Sequence, residues 1–297
     1  MKINKKTVFT GAGCAIVTPF ADGNIDFTTF ERLVEMQIAA GTDAIIVGGT
    51  TGEAATLSES ERYNLYEYSM GVVGGRCKVI LGTGTNDTAA AVRHTKFAAS
   101  LGADSALVVT PYYNKGTEEG IFRHYSTVAE CSPLPIILYN VPSRTGVNLG
   151  LNLLSRLSEA ENIVGIKEAG DSVDRLVALA GFSDTLPLYA GNDSQIYPVL
   201  SLGGKGVISV LSNIMPKAVK KITDSFFAGD LARSLLLQLE LLPLIKALFL
   251  ETNPAPVKCA MEELRLIKGE LRLPLAKVRE STRDAVIEEL KGVEHLF

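Results

Sequence analysis

Two side chains able to take part in catalysis stand at the ends of short apolar segments. Lys167 follows the apolar run 163–166, and Tyr139 closes the run 136–139. Such runs are typical of buried strands, where desolvating an ammonium is costly. Desolvation favours the neutral amine, which can attack a carbonyl carbon, and a neighbouring phenol can move protons. The structural alternatives are a lysine that extends its head to solvent and an aromatic plug with a satisfied hydroxyl.

Two further segments offer groups that bind anions. The segment 48–53, Gly-Gly-Thr-Thr-Gly-Glu, combines exposed backbone N–H groups with the hydroxyls of Thr50 and Thr51, which suits a carboxylate or phosphate. A tight turn with threonine caps is the alternative, and no Gly-Lys-Ser/Thr follows that would make a P-loop. Arg144 lies among turn formers just beyond Tyr139, and its planar guanidinium suits a substrate carboxylate. A solvated surface arginine is the alternative there.

Metal and nucleotide chemistry have weak support in the sequence. The histidines His94, His124 and His295 fall in helical or terminal segments, and no histidine–carboxylate cluster with metal-ligand spacing occurs. The segment Gly82-Thr83-Gly84 lacks the third glycine of a dinucleotide fingerprint, because Asp87 stands in its place. We therefore expect no metal and no cofactor, and a Schiff-base lysine is the leading chemistry.

Eight strand candidates must position these residues. Each is a short apolar run, and seven are followed by a loop rich in Gly, Thr, Pro or Asn and then by a helical pattern. The runs cover 13–17, 44–47, 79–81, 106–109, 136–139, 163–166, 188–190 and 207–210. Eight β-α units in series predict an α/β fold, a (β/α)8 TIM barrel, whose active site lies at the C-terminal ends of the strands. A doubly wound sheet is the rival, but it usually has fewer strands.

The last part of the chain carries helical patterns only. They cover 216–227, 231–249, 255–267 and 277–290, and they predict an α-helical C-terminal extension. The predicted organisation is a catalytic barrel core over 1–215 and C-terminal helices over 216–297 that complete the barrel and extend it. Earlier in the chain, Ser58 and Glu61 form a capping box that opens a helix.

Composition excludes several classes of protein. The 297 residues are 46% hydrophobic and 21% charged, as in a globular protein. A net charge of −4 without a basic cluster argues against a nucleic-acid surface. The four scattered cysteines favour neither a zinc site nor disulfides, and fit a reducing cytoplasm. The polar start, 1–7, predicts no signal peptide, and the stretch 235–250 is too short and too polar to span a membrane.

Several segments resemble a known family, in order and at barrel spacing. They are G-T-T-G-E (49–53), T-P-Y-Y-N (110–114), Y-N-V-P-S-R-T-G (139–146), G-I-K-E-A (165–169), G-V-I-S-V (206–210) and N-P-A-P-V-K (253–258). Together they resemble the dihydrodipicolinate synthase family of Schiff-base aldolases, over nearly the whole chain. The resemblance implies a lyase that condenses pyruvate with aspartate semialdehyde on the route to diaminopimelate and lysine.

The resemblance also implies residue roles. Lys167 would form the Schiff base with pyruvate. The proton relay would consist of Tyr139, Thr50 and Tyr113, and the substrate contacts would come from Thr51, Arg144, Gly191 and Ile208, with Arg144 holding the semialdehyde carboxylate. In the family, the tyrosine that matches Tyr113 enters the site of a neighbouring subunit. This implies a homo-oligomer, at least a dimer and usually a tetramer built as a dimer of dimers.

Two other functions compete with this interpretation. The first is a sister enzyme on the same barrel, an N-acetylneuraminate lyase or a keto-deoxy-sugar-acid aldolase. The segment 142–146, Pro-Ser-Arg-Thr-Gly, favours the synthase, because an arginine there suits a short carboxylated aldehyde. The second is a catalytically inactive barrel used for binding, since a fold alone does not establish activity. All the residues needed for catalysis are present, which argues against an inactive barrel. They are Thr50, Tyr113, Tyr139, Arg144 and Lys167.

One departure from the family concerns inhibition by lysine. Lysine-inhibited members often carry histidines on the helix after G-T-T-G-E, where this chain has Glu59 and Arg62. Ala54 and Ala90 also replace polar or acidic residues. Although Asn86 and Tyr112 match the inhibitor pocket, these departures predict weak or absent feedback by lysine.

Overall fold

Ten strands form a closed barrel and one small hairpin in the computed structural model, which describes residues 5 and 7–296. In chain order, β1 to β10 cover Gly11–Ala15, Phe20–Ala21, Asn24–Ile25, Ala44–Val47, Lys78–Gly82, Ser105–Val109, Ile136–Asn140, Ile163–Glu168, Leu188–Ala190 and Gly206–Ser209. Eight of them pair in parallel in the order β1-β10-β9-β8-β7-β6-β5-β4, and β1 also pairs with β4. Because no strand of this sheet is left at an edge, the barrel prediction is confirmed and the doubly wound sheet is wrong.

Within the described residues, twelve α-helices follow or surround the strands. In chain order, α1 to α12 cover Phe27–Ala39, Glu59–Val73, Thr88–Ser100, Glu118–Glu130, Pro142–Thr145, Leu151–Leu157, Val173–Ala180, Ile196–Ser201, Pro216–Phe227, Leu231–Ala247, Ala255–Glu263 and Glu280–Gly292. The predicted capping box is confirmed: the Ser58 side chain accepts from Glu61 N, and the Glu61 carboxylate accepts from Ser58 N. Asp87 is the N-cap of α3, where its side chain accepts from Ala89 N.

The core has two parts, separated by the wall of the barrel. One lies between the strands and the helices. The other lies inside the barrel and includes Ile46, Ile80, Ile137, Tyr139 and Ile208. Successive side chains of a strand point to opposite faces, so alternate residues fill each part. Consequently Ile137 and Tyr139 face the barrel interior, whereas Leu138 packs toward the helices.

Several predicted boundaries differ from the structure. The first strand ends at Ala15 and not at Val17, because Val17 N donates to the side chain of Asn213. The last strand ends at Ser209, because Val210 N donates to the Asp193 carboxylate. Both differences have the same cause: a distant side chain takes the backbone N–H that would have continued the ladder.

The C-terminal helices start from the barrel and return to its mouth. Helix α9 packs against β1, α10 packs against α9 and α12, and α11 packs against α12. The predicted helix 255–267 ends earlier, at Glu263, and the predicted helix 277–290 begins later, at Glu280. The irregular segment between them, 264–279, crosses the mouth of the barrel, where Arg272 N donates to Glu53. The division at residue 215 stays a prediction.

Most of the polar start, for which the sequence predicts no signal peptide, lies outside the described residues, as does Phe297. Among the described helices, none has both the length and the apolar character needed to cross a membrane.

Candidate active site

The pairing of β7 with β8 places Tyr139 directly opposite Lys167. The Nζ atom of Lys167 lies 4.3 Å from the centroid of the Tyr139 ring. Lys167 is only 5% exposed, and its surroundings include Tyr189, on the other neighbouring strand. Among the residues that the structure describes, no carboxylate forms an ion pair with Lys167 at 4.0 Å or less. The amine is therefore held on an aromatic face at the mouth of the barrel.

Two adjoining cavities open at the C-terminal ends of the strands. A cavity of about 670 Å³ is lined by Lys167, Tyr139, Thr51, Arg144 and Gly191, among others. A second cavity, of about 310 Å³, is lined by Thr50 and shares Tyr139 and Arg144 with the first. Six of the eight residues predicted for the site therefore meet at one mouth.

The loop after β4 is held by buried polar contacts. Asn253 donates from Nδ2 to the Thr51 hydroxyl at 3.0 Å, and the Thr18 hydroxyl donates to Gly52 O at 2.7 Å. Glu53 forms a buried ion pair with Lys258 of α11, and both side chains are fully buried. Burial lowers the pKa of Lys258 below its ordinary value, and the Glu53 carboxylate opposes that shift. The loop is thus fixed from the C-terminal helices as well as from the barrel.

Arg144 lies on the short helix α5, which begins at Pro142. Its Nη2 donates to Asn253 O at 2.7 Å. This bond anchors one end of the guanidinium, while the side chain lines both cavities. Asn253 is a residue whose role the sequence did not predict. The Asn-Pro pair marks a break between helices, but nothing in it indicates that this break lies over the barrel mouth.

The predicted contacts Gly191 and Ile208 occupy different depths. Gly191 lines the larger cavity, and its N–H donates to Glu168 O at 2.7 Å. A Cβ atom there would lie 2.6 Å from that carbonyl oxygen, so only glycine fits without a shift of the backbone. Ile208 is fully buried in the same interior cluster as Tyr139. It packs beneath the mouth and does not line either cavity.

Tyr113, predicted for the proton relay, lies on the surface of the chain. Its side chain is 90% exposed, and its backbone has a φ of 71°, in the left-handed region. It lines neither of the two cavities. Within a single chain, Tyr113 therefore projects outward from the loop between β6 and α4.

A buried carboxylate that the sequence did not assign also lines the larger cavity. Asp193 accepts from Val210 N and Leu211 N, both at 2.9 Å. Burial raises its pKa above the ordinary value. Asp193 follows the predicted contact Gly191 by two residues, but its two backbone partners are 17 and 18 residues away along the chain. Sequence spacing alone gives no signal for such a contact.

The histidines lie away from the mouth, on helices and near the C-terminus. His94 is on α3 beside Tyr63, and His124 is on α4 beside Thr88. His295 pairs with Glu240 near the C-terminus. None of the three lines the cavities that contain Lys167 or Thr50.

Comparison with known proteins identifies the family. The profile of the dihydrodipicolinate synthetase family matches residues 8–293. The chain belongs to the dihydrodipicolinate synthetase family. The 4-hydroxy-tetrahydrodipicolinate synthase of Clostridium novyi (strain NT) is 45% identical over 287 residues, which cover 96% of this chain and 97% of that protein.

Solved structures of the family superpose closely on the barrel. The crystal structure of dihydrodipicolinate synthase from Thermotoga maritima has a TM-score of 0.94 and 43% identity, covering 98% of this chain and 100% of that one. The chloride-inhibited dihydrodipicolinate synthase of Acinetobacter baumannii, complexed with pyruvate, has a TM-score of 0.94 and 43% identity, with coverage of 96% and 99%. The family predicted from the sequence motifs is confirmed.

Proposed function

We propose that this protein condenses pyruvate with aspartate semialdehyde to give 4-hydroxy-tetrahydrodipicolinate, through a Schiff base on Lys167. The observation that carries the proposal is the placement of Lys167 Nζ against the Tyr139 ring, at a mouth that also holds Arg144. The relatives named above support the same activity, and one of them is solved with pyruvate bound.

The first half of the reaction uses the buried amine. The lone pair of Lys167 Nζ attacks C2 of pyruvate, and the carbinolamine that forms loses its hydroxyl as water to leave an iminium. The iminium withdraws electrons from the pyruvate methyl group, so a methyl proton leaves and an enamine forms. Thr51 and Gly191, which line the cavity with Lys167, would contact the pyruvate carboxylate.

Protons in these steps require a donor and acceptor close to the amine. The Tyr139 hydroxyl would protonate the carbinolamine hydroxyl, which leaves as water, and the resulting phenolate would accept the methyl proton. Thr50, which lines the adjoining cavity with Tyr139, would continue the relay. Tyr113 would complete it from a neighbouring subunit, because in its own chain the side chain is exposed and away from the cavities.

The second half of the reaction joins the two substrates. Arg144 would hold the semialdehyde carboxylate through a charge-assisted hydrogen bond. The enamine carbon attacks the aldehyde carbon, and the alkoxide takes up a proton. The amine of the semialdehyde then attacks C2, displaces Lys167 Nζ and closes the ring, so the enzyme returns to its starting state without a cofactor.

We further propose that the working form is a homo-oligomer in the cytoplasm, a tetramer made of two dimers. Mixing two inactive variants tests the role of Tyr113 across the interface. In a mixed dimer of Lys167→Ala and Tyr113→Phe, one site receives an intact lysine from one subunit and an intact tyrosine from the other. Random reassembly should restore about one quarter of the wild-type rate. If the mixture stays inactive although mixed dimers form, Tyr113 does not act across an interface.

A substrate assay tests the function itself. The purified protein should consume pyruvate in the presence of aspartate semialdehyde and release 4-hydroxy-tetrahydrodipicolinate. It should not cleave N-acetylneuraminate or keto-deoxy sugar acids at a comparable kcat/KM. Faster turnover of a sugar acid would replace the proposal by the sister activity, and no turnover of any of these substrates would favour a binding barrel.

A further inference from the structure

We propose that Asn140 and Glu168 are positioning residues that hold Tyr139 and Lys167 in alignment. Each follows one of the reacting residues in the chain, and the two are paired with each other across β7 and β8. The inference rests on the proposed function, because it explains how the two reacting side chains are placed. The motifs around Tyr139 and Lys167 contain both residues, yet the reaction assigns neither of them a role.

The Glu168 carboxylate is the centre of a buried hydrogen-bond network. Glu168 is fully buried, and both of its oxygens accept from Asn140 Nδ2, at 2.8 and 3.0 Å. Oε1 also accepts from Gly170 N at 2.7 Å, and Oε2 accepts from Arg175 Nε at 2.8 Å. A buried carboxylate is costly unless it is paired and hydrogen-bonded, and these partners meet that requirement.

The position of the network follows from strand alternation. Tyr139 and Lys167 face the barrel interior, so the next residues, Asn140 and Glu168, point to the outer face of the same two strands. The amide–carboxylate contact therefore ties the strand ends together immediately beside the reacting pair. Sliding β8 against β7 would break this contact and separate Nζ from the Tyr139 ring. Misplacement by about 1 Å can cost about 100-fold in rate.

Asn140 extends the same network to the loop that carries Arg144. Its Oδ1 accepts from Leu149 N at 3.1 Å, and its Nδ2 also contacts Asn148 Oδ1 at 2.8 Å. Asn140, which stands just before the loop 141–149, thus also holds the C-terminal end of that loop at Leu149. Asn140 holds two parts of the site, whereas the Glu168 side chain holds the strand pair, Gly170 and Arg175 of α7. Their variants should therefore differ in kinetics.

The decisive experiment exchanges the two groups. Asn140→Asp places two carboxylates together, and Glu168→Gln removes the acceptor charge that Arg175 and Gly170 N require. The double variant Asn140→Asp/Glu168→Gln restores one amide and one carboxylate with their positions exchanged. Rates are expressed per site that pyruvate and borohydride can trap on Lys167, so that loss of folded protein does not count as loss of catalysis.

A matched control lies at the opposite end of the same strand. Asn162 precedes β8, and its Nδ2 donates to Ala129 O, Ser132 O and Leu134 O. Asn162→Ala removes a half-buried, hydrogen-bonded amide far from the mouth. It should lower the melting temperature without changing kcat per trapped site.

We expect each single exchange variant to lose about 10- to 100-fold in kcat per trapped site. The double variant should recover at least part of that loss. Only the Asn140 variants should also raise KM for aspartate semialdehyde, because only Asn140 holds the Arg144 loop. The inference is overturned if kcat per trapped site stays within about twofold of wild type in both single variants, if Asn162→Ala loses as much, or if the double variant is no better than the singles. If the wild type itself traps no pyruvate on Lys167, the proposed function fails instead.

Discussion

Lys167 Nζ faces the ring of Tyr139 at 4.3 Å, and the two residues are partners in the β7–β8 pairing. The amine thus packs on the aromatic face, while the phenol hydroxyl remains available for proton transfer. This relationship separates two properties of Tyr139 that a single substitution can test, since phenylalanine keeps the ring and removes the hydroxyl.

We predict that Tyr139→Phe lowers kcat by about 10²- to 10⁴-fold, the usual range for loss of a general acid–base group. The protein should fold normally, because the ring still fills the barrel interior. Pyruvate should still be trapped on Lys167 by borohydride, although more slowly. Steady-state kinetics and trapping by mass spectrometry measure the two effects. Wild-type turnover in Tyr139→Phe would remove this residue from the relay.

Arg144 should govern the affinity for aspartate semialdehyde. Arg144→Gln removes the charge but keeps a shorter side chain that can donate a hydrogen bond. We expect kcat/KM for the semialdehyde to fall about 10- to 100-fold, because a charge-assisted hydrogen bond contributes that much to binding. KM for pyruvate should change little. Arg156→Gln is a matched control, because Arg156 stacks on Phe122 outside the two cavities and pairs with Glu119. An equal effect of both variants would contradict the role of Arg144.

Feedback by lysine should be weak or absent, and Arg62 supplies the physical reason. Its guanidinium lines the smaller cavity and donates to Ala54 O at 2.7 Å and to Gly82 O at 3.2 Å. A fixed cation there repels the two ammonium groups of free lysine. Titration of the synthase activity with lysine measures this, and arginine at the same concentrations controls for ionic strength. Strong inhibition at low lysine concentration would show that Arg62 does not exclude the inhibitor.

Stability should fall as the pH drops below about 6.5, because two histidines are buried without charge. Burial lowers the pKa of His94 and of His124 to about 4. Between pH 6.5 and 4 the unfolded chain binds protons at these positions and the folded chain does not. The unfolding free energy therefore decreases with falling pH, by at most about 1.4 kcal/mol per pH unit for each histidine.

Denaturant unfolding between pH 7 and 4.5 measures this dependence. The double variant His94→Gln/His124→Gln should show a shallower decline over that interval. Carboxylates such as Glu61, whose pKa Arg272 lowers to about 2, affect stability mainly below pH 4.5. An unchanged slope in the double variant would mean that the histidines are not the source.

The barrel was predictable from the sequence because its signals are local. Each strand is a short apolar run, and each of its boundaries differs from the prediction by no more than two residues. Lys167, Tyr139 and Arg144 were found for the same reason, since each ends or follows a predicted strand. The C-terminal ends of all the barrel strands lie at the same mouth, so the barrel prediction alone brings these three residues together.

The supporting residues could not be predicted, because their partners are distant in the chain. Asn253 reaches Thr51 across 202 residues, and Arg272 N reaches Glu53 across 219. The sequence pattern around Lys258 indicates an ordinary helical lysine, yet its side chain is fully buried against Glu53. Such contacts depend on how the C-terminal helices fold back over the mouth, which no local pattern encodes.

Trapping with pyruvate and borohydride tests the central claim most directly. The protein is incubated with pyruvate, reduced, digested and analysed by mass spectrometry, with Lys167→Ala treated in parallel. We predict one reduced pyruvate adduct per chain, on the peptide that contains Lys167, and none in the variant. An adduct on another lysine, or undiminished turnover by Lys167→Ala, would contradict the account.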